Sequence, residues 1–231
     1  MLRSLVLVAL AVVFASPALA QNPTLFTVCV RGQADRLCGY DTSVPGGPVT
    51  EIPPPAPLNN NAFLRNGAVS VAGGKLAVVT AESNTTAEVM LYDLDGSNPE
   101  LFGNLPLIGS NFVGELELSP DLSRIAYQVS NAGLYVYERA TQQTHTIFER
   151  NSNRTLSGFS HGPRWSPDSQ TLVFTIEEVT ATGLVRPLVI APADGSAPYT
   201  RVTTPEATGI SYDGYADWSY DGSLLAFVRV K

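Results

Sequence analysis

The sequence is poor in residues that carry out chemistry. Its 231 residues include two cysteines, Cys29 and Cys38, and two histidines, His145 and His161. No histidine or third cysteine lies near the cysteine pair, so we expect neither a metal site nor a cofactor. General acid–base catalysis by histidine would rest on His161 alone, because His145 falls in a predicted outer strand.

Charge is also scarce, and basic charge most of all. Only 15% of the residues are charged, the formal net charge is −7, and the chain has no basic cluster. An acidic surface of this kind argues against binding to nucleic acid or to anionic lipid headgroups. Beyond the first 20 residues, no apolar run is long enough to cross a bilayer. We therefore expect no insertion into a membrane once the N-terminal segment has been removed.

The N-terminal segment has the pattern of a secretory signal. Arg3 precedes an apolar stretch over residues 5–14, and Ala18-Leu19-Ala20 is a small-x-small cleavage site. This pattern predicts removal of residues 1–20 and a mature domain over residues 21–231 in the periplasm or outside the cell. Removing Arg3 changes the formal charge from −7 to −8. An uncleaved membrane anchor is the alternative.

Outside the cytoplasm the two cysteines can form a disulfide. With Gln33-Ala34 as a two-residue hairpin loop, Cys29 and Cys38 are predicted to lie directly opposite each other. A disulfide between them is our expectation, and two half-buried thiols are the alternative.

A short pattern recurs along the chain. Ser119-Pro120-Asp121, Ser166-Pro167-Asp168 and Ser219-Tyr220-Asp221 lie 47 and 53 residues apart, and each precedes an apolar run rich in β-forming residues. Self-similarity at this period indicates a repeat architecture. Ser-Pro-Asp suits a type I turn, so we interpret Asp121, Asp168 and Asp221 as structural turn residues.

Each repeat is predicted to form four antiparallel strands, and 36 residues are glycine or proline, as many turns require. No helical period extends over ten residues outside the signal. The predicted fold is therefore all-β, a β-propeller of four-stranded antiparallel blades. We expect a partial blade at 25–52, blades at 62–105, 112–150 and 163–203, and a partial blade at 216–231.

The repeats resemble those of TolB-like β-propellers. The resemblance rests on Trp165-Ser166-Pro167-Asp168, on Trp218-Ser219-Tyr220-Asp221-Gly222, and on the turns at Asp93-Leu94-Asp95-Gly96 and Asp194-Gly195. Three positions depart from the family pattern: Leu122 and Ser169 replace glycine, and Tyr220 replaces proline. The resemblance implies a cell-envelope setting and protein partners. Similar repeats form the propeller of the prolyl oligopeptidase family.

The strand count leaves closure of the ring open. The strands predicted for the chain number 17, whereas four closed blades need 16. The resemblance implies more blades than four, commonly six or seven. We therefore expect about four blades here in an incomplete propeller, with pairing of the terminal partial blades as the alternative.

Two motifs suggest chemistry but lack its context. Gly158-Phe159-Ser160-His161-Gly162 matches G-x-S-x-G, yet the sequence that follows cannot be a helix and no histidine comes later. The oxygen-rich turn from Asp93 to Asn98 lacks the features of an EF-hand, so hydrogen bonds to the backbone are the expected role of its carboxylates. Neither motif supports a catalytic or metal site.

The remaining candidates for binding are residues expected at the mouth of the central channel of the propeller, called the channel-mouth residues. His161, Arg164, Tyr212 and Tyr215 fall in or beside the loops that lead into predicted innermost strands. Tyrosines there can anchor a peptide or stack on a sugar, whereas Trp165 and Trp218 are expected to pack between blades. We therefore expect a non-enzymatic binding or scaffold module for a protein, peptide or carbohydrate. The alternative is the propeller portion of a larger hydrolase, so the question of enzymatic activity stays open.

Overall fold

The computed structural model describes residues 24–31, 34–41, 50–51, 69–94, 97–108, 113–129, 131–157, 162–206 and 211–230. These residues belong to two compact units, 1–52 and 53–231, which are described separately. Within the described part, no helix has the length and apolar character needed to span a membrane.

The first unit contains one three-stranded antiparallel sheet. Its strands are β1 (Thr24–Arg31), β2 (Ala34–Asp41) and β3 (Thr50–Glu51), in the order β1-β2-β3.

The register of the β1–β2 hairpin corrects the prediction made for the cysteines. Cys29 pairs with Arg36, and Cys38 pairs with Thr27. Arg31 pairs with Ala34, so Ala34 belongs to β2 and the predicted Gln33-Ala34 loop is wrong. The cysteines are therefore diagonal neighbours in the register. The disulfide stays a prediction, because the cysteine side chains lie outside the described part of the structure.

The second unit begins with two four-stranded antiparallel sheets. Each has its strands in chain order, so each is a meander joined by short turns. The first sheet consists of β4 (Val69–Ala72), β5 (Lys75–Glu82), β6 (Thr86–Asp93) and β7 (Glu100–Pro106). The second consists of β8 (Val113–Leu118), β9 (Arg124–Val129), β10 (Gly133–Glu138) and β11 (Gln143–Glu149).

The third sheet has six strands. Four continue the pattern of the first two sheets: β13 (Arg164–Trp165), β14 (Thr171–Thr180), β16 (Leu188–Pro192) and β17 (Thr200–Arg201). The additional strands, β12 (Arg154–Leu156) and β15 (Gly183–Val185), pair with the distal half of β14. The polar segment after Ile176 is therefore part of the sheet, because β14 continues to Thr180 and turns back into β15.

Two more strands form the last sheet. They are β18 (Tyr212–Trp218) and β19 (Leu225–Val230), which pair antiparallel. The strand β18 begins four residues before the predicted start at Ala216, so it includes Tyr212 and Tyr215.

Hydrophobic cores lie between consecutive sheets. On β9, Ile125 and Tyr127 face the core shared with the first sheet, while Ala126 faces the core shared with the third. On β10, Leu134 contributes to the second core and Tyr135 to the first. Because side chains alternate along a strand, a sheet packed on both faces needs apolar residues at successive positions. This requirement explains the uninterrupted apolar runs of the central strands.

The three repeated turns share one hydrogen-bonding arrangement. The serine Oγ donates to the aspartate Oδ1 at 2.6, 2.6 and 2.7 Å in the turns beginning at Ser119, Ser166 and Ser219. The same Oγ accepts the backbone N–H five residues later, at 2.9 Å in all three turns. Tyr220 occupies the proline position of the third turn without altering these bonds. The aspartates thus lie where a turn needs an acceptor.

The fourth residue of each turn has a left-handed backbone. Its φ is 64° at Leu122, 60° at Ser169 and 72° at Gly222. Glycine adopts this conformation without steric cost, which explains why it is favoured at this position. Leu122 and Ser169 therefore keep the turn geometry at some cost in strain.

Replacing the motif serine tests how much one such turn contributes. Ser166→Ala removes two hydrogen bonds at a residue that is only 5% exposed. We expect it to lower the free energy of unfolding by about 1.5 kcal/mol in urea titrations followed by tryptophan fluorescence. Ser219→Ala is the matched control. The loss there should be smaller, because Ser219 is only half-buried and water can replace the lost hydrogen bonds. Equal losses in both variants would contradict this account.

Candidate functional site

The first strands of the four sheets in the second unit lie side by side. β4 contacts β8, β8 contacts β13, and β13 contacts β18. Polar residues occupy the same position in each of these strands. Glu117, Arg164 and Asp217 lie two residues before the motif serines, and Ser70 lies two residues before Ala72, the last residue of β4. Together with Glu115, which lies two residues before Glu117, they are called the first-strand cluster.

An ion pair lies at the centre of the first-strand cluster. Arg164 Nη1 donates to Glu117 Oε2 at 3.1 Å, and the hydroxyl of Ser70 donates to the same oxygen at 3.4 Å. The Ser70 hydroxyl also accepts the backbone N–H of Leu118 at 2.9 Å. The side chains of Arg164 and Glu117 are 34% and 24% exposed, respectively, so the pair is within reach of solvent. Burial raises the pKa of Glu117, and Arg164 and Ser70 oppose that rise.

Two tryptophans hold neighbouring first strands together. The indole N–H of Trp165 donates to the carbonyl of Glu117 at 2.9 Å, and that of Trp218 donates to the carbonyl of Arg164 at 3.3 Å. Each tryptophan thus bonds to the preceding first strand at the position of the polar cluster. The predicted packing of these tryptophans between sheets agrees with these contacts.

Glu115 lies against the backbone of Gly162. A Cβ added at Gly162 would stand 2.0 Å from Glu115 Oε2, so a side chain there would displace the carboxylate. Burial raises the pKa of Glu115 to about 7, against the opposing effects of Arg164 and of the hydrogen bond from the Gly162 backbone. This carboxylate therefore changes protonation near neutral pH.

Tyr212 and Tyr215 lie on β18, at the same end of the first strands as Glu115. Their ring centroids are 6.4 Å apart, with an interplanar angle of 47°. The pairing of β18 with β19 shifts register between Gly214 and Asp217. Tyr215 lies within this bulge, with a φ of 54° and 40% of its surface exposed. A non-glycine residue with positive φ is uncommon, and such residues are found most often in turns and at functional sites.

A buried ion pair fixes β18 to β19. Asp213 is fully buried, and its two carboxylate oxygens accept from Arg229 Nε at 2.6 Å and Arg229 Nη2 at 2.8 Å. Burial by itself would raise the pKa of Asp213, but hydrogen bonds from Arg229 and Thr203 outweigh it and lower the pKa. The backbone carbonyl of Asp213 accepts from Thr175 on β14 at 2.9 Å. This network ties the last sheet to the third one.

Comparisons with known proteins bear on the fold alone. No protein family and no curated protein sequence matches the chain. Among solved structures, tricorn protease is similar with a TM-score of 0.52 at 13% identity, over 94% of this chain and 20% of that one. Dipeptidyl peptidase 4 of Porphyromonas gingivalis has a TM-score of 0.52 at 13% identity, over 91% of this chain and 36% of that one. Both neighbours are β-propeller proteins.

The chain has the β-propeller fold. Its four-stranded antiparallel sheets are the blades, and the predicted fold class is confirmed. A protein of unknown function from Bacteroides thetaiotaomicron is also similar, with a TM-score of 0.50 at 14% identity, over 90% of this chain and 50% of that one. The chain thus spans between 20% and 50% of the length of these three neighbours.

The propeller fold gives the first-strand cluster its setting. The first strands are the inner strands of the blades, which are arranged around a central channel in this fold. The residues at alternate positions, such as Leu116 and Leu118, are buried in the core between blades. Glu115 and Glu117 therefore lie on the opposite face of β8, and Glu117 meets Arg164 of the next inner strand there.

The structure describes three of the four predicted channel-mouth residues. Arg164 lies on β13 in the first-strand cluster, and Tyr212 and Tyr215 lie on β18 itself, not in the loop before it. His161 lies outside the described residues. After Gly162 the chain enters β13, so a strand stands where a nucleophile elbow needs a helix. The binding role of these four residues stays a prediction.

Two findings bear on metal binding. Within the described residues, no three His, Cys, Asp or Glu side chains converge as metal ligands. The side chain of Asp93 is occupied by protein groups, Lys75 Nζ at 2.5 Å and Asn98 Nδ2 at 2.6 Å. These bonds hold the pKa of Asp93 below its ordinary value. The turn at Asp93 thus uses its carboxylate within the hairpin.

Sequence reasoning overlooked Ser70, Glu115, Glu117 and Asp217. A signal for three of them was present, because Ser70, Glu117 and Asp217 occupy the same offset as Arg164 from the recurring motif. Aligning the repeats at that offset is enough to group these residues on the inner strands.

Proposed function

We propose that this chain is a TolB-like β-propeller of a periplasmic or secreted protein, and that it binds a protein or peptide partner. The export signal in residues 1–20 supports the compartment, and the recurring Ser-Pro-Asp and Ser-Tyr-Asp turns support the family. Binding takes place at the end of the inner strands where Glu115, Tyr212 and Tyr215 lie. No enzymatic step is assigned to the chain.

The observation that carries this proposal is the exposure of Tyr215 on an inner strand. Most large apolar side chains of the inner strands pack between blades, as Leu116 and Trp165 do at 3% and 6% exposed. Tyr215 is 40% exposed, and its backbone has a positive φ that positions the ring within a bulge. Tyrosine offers a large contact area at a low entropic cost, which is why it is enriched at binding sites.

Peptide display on the immobilised full chain tests the proposal. We expect selected peptides to lose at least tenfold in affinity when Tyr212→Ala and Tyr215→Gly are combined. Glycine suits the φ of 54° at position 215, so the strand bulge is retained without the ring. Tyr220→Ala is the matched control, because Tyr220 is 58% exposed at the other end of β18 and should leave binding unchanged.

Three results would contradict the proposal. Failure of any peptide to enrich over background would remove peptide binding as the function. Equal affinity for the wild-type chain and the double variant would place the site elsewhere. Binding to a glycan array in place of peptides would favour the carbohydrate-binding alternative.

A second candidate is the propeller portion of a larger hydrolase. It is favoured by the similarity to tricorn protease and dipeptidyl peptidase 4, of which this chain spans 20% and 36%. Sequencing the coding DNA past codon 231 tests it. An open frame that reaches a strand–G-x-S-x-G–helix segment with a later histidine would support the hydrolase, and a stop codon would contradict it.

A further inference from the structure

We propose that the partner presents a cationic side chain, lysine or arginine, to the end of the inner strands where Tyr212, Tyr215 and Glu115 lie. This inference rests on the proposed function and adds the chemistry of the group that is recognised. The tyrosine pair supplies an aromatic wall, and the carboxylates of the first-strand cluster supply the counter-charge.

The charge balance of the cluster favours a cation. Glu115, Glu117 and Asp217 are acidic, and Arg164 is the basic member. The Arg164 guanidinium is committed to Glu117 at 3.1 Å. Asp217 is exposed, and its Oδ1 accepts the backbone N–H of Trp218 at 2.9 Å. One base therefore faces three acids on neighbouring inner strands, and a second cation would restore the balance.

A group of acidic residues by itself is an ordinary solvated surface. The tyrosine pair at the same end of the strands is the feature that favours a binding site for a cationic side chain. Tyr215 stands two residues before Asp217 on β18. The residue is 40% exposed, and its ring centroid lies 6.4 Å from that of Tyr212. An aromatic face attracts lysine and arginine through its quadrupole, by about 0.5–1 kcal/mol at exposed sites. The aromatic pair also contacts the aliphatic stem that both side chains possess. Together these groups match a flexible stem that ends in a positive charge.

The burial of Glu115 supports the same ligand class. Its carboxylate lies against Gly162, with Arg164 as the cation that opposes its protonation. A guest cation at this end of the strands would stabilise the ionised form in the same way. An acidic guest would instead favour the protonated form of Glu115.

Defined peptides test the proposal by fluorescence anisotropy on the full chain. The probes are fluorescein-labelled nonapeptides of eight glycines, acetylated at the N-terminus, with lysine, arginine, citrulline, norleucine or glutamate at the centre. We expect the lysine and arginine peptides to bind at least tenfold more tightly than the other three. A norleucine peptide with a free N-terminus separates recognition of a terminal ammonium from recognition of a side chain.

Variants locate the effect. Asp217→Asn and Tyr215→Gly should each weaken binding of the lysine peptide at least fivefold. Glu149→Gln removes one exposed carboxylate from an outer strand and is the matched control, which should change affinity less than twofold. Tyr215→Phe keeps the ring and should retain binding, so it guards against misreading a folding defect in Tyr215→Gly.

The outcomes separate this inference from the proposed function. Peptides that are bound without any preference for a cation would overturn the inference and leave peptide binding in place. An equal effect of Glu149→Gln and Asp217→Asn would show attraction to the overall acidic surface only, and would also overturn it. The absence of binding to all probes and all display peptides would overturn both.

Discussion

Replacing Arg229 by methionine is expected to lower the free energy of unfolding by about 3 kcal/mol. The change leaves the carboxylate of Asp213 fully buried without its bidentate partner, and breaking a buried pair typically costs 3–5 kcal/mol. The lower end of that range applies because the Arg229 side chain is 40% exposed and water can reach part of the site. Urea unfolding monitored by tryptophan fluorescence measures the loss.

An exposed ion pair provides the control for Arg229. Arg139 pairs with Glu100 across two sheets, with the side chains 32% and 50% exposed. Arg139→Met should cost less than about 1 kcal/mol, the usual range for surface pairs. Adding Asp213→Asn to Arg229→Met should recover part of the loss, because the buried charge is then removed. Similar losses in the free energy of unfolding for Arg229→Met and Arg139→Met would show that the burial of Asp213 does not increase the cost of losing its partner.

The second large effect concerns pH and Glu115. Its pKa is raised to about 7 in the folded protein, above the ordinary value of 4.5, so the folded state holds the proton more tightly than the unfolded state does. The stability that this group contributes is complete below pH 4.5 and falls as the pH rises through about 7. The difference of about 2.5 units corresponds to a loss on the order of 3 kcal/mol by pH 8.

Glu115→Gln should remove most of this slope, leaving the part that comes from Glu117, whose pKa is also raised by burial. The amide keeps the size of the side chain and an oxygen that can accept the Gly162 N–H, but it cannot ionise. We expect the variant to be more stable than the wild type at pH 8 and nearly equal to it at pH 4.5. The window from pH 5 to 7.5 avoids the turn aspartates, whose pKa values are lowered and whose effects appear in acid. A wild-type slope that persists in the variant would assign the titration to another group.

Local chemistry made the repeated strands and turns predictable. The Ser-Pro-Asp motifs predicted turns followed by apolar strands, and β9 and β14 begin at Arg124 and Thr171, directly after these turns. Glycine-like φ values at Leu122 and Ser169 follow from the turn that Ser-Pro-Asp begins. These features depend on side-chain period and on hydrogen bonds within five residues, so a single repeat contains the information.

The errors arose where pairing across strands decided the outcome. In the β1–β2 hairpin the register places Cys29 opposite Arg36 and not opposite Cys38, and a small shift of register changes every cross-strand partner. The segment after Ile176 is polar, yet it continues as a strand because β12 and β15 satisfy the backbone of β14 on both sides. Tyr215 belongs to a strand bulge whose register shift depends on the partner β19. Hydrogen bonds to residues distant in the chain leave little trace in local composition.

Local periodicity and turn chemistry were enough to predict the repeat, the all-β class and the turn at each motif from the amino-acid sequence. The first-strand cluster forms when the sheets pack together. Glu117, Arg164 and Asp217 look like ordinary polar strand residues within their own repeats, and they meet because blades place equivalent positions side by side. The raised pKa of Glu115 has the same origin, since the burial that raises it exists only once neighbouring blades have packed.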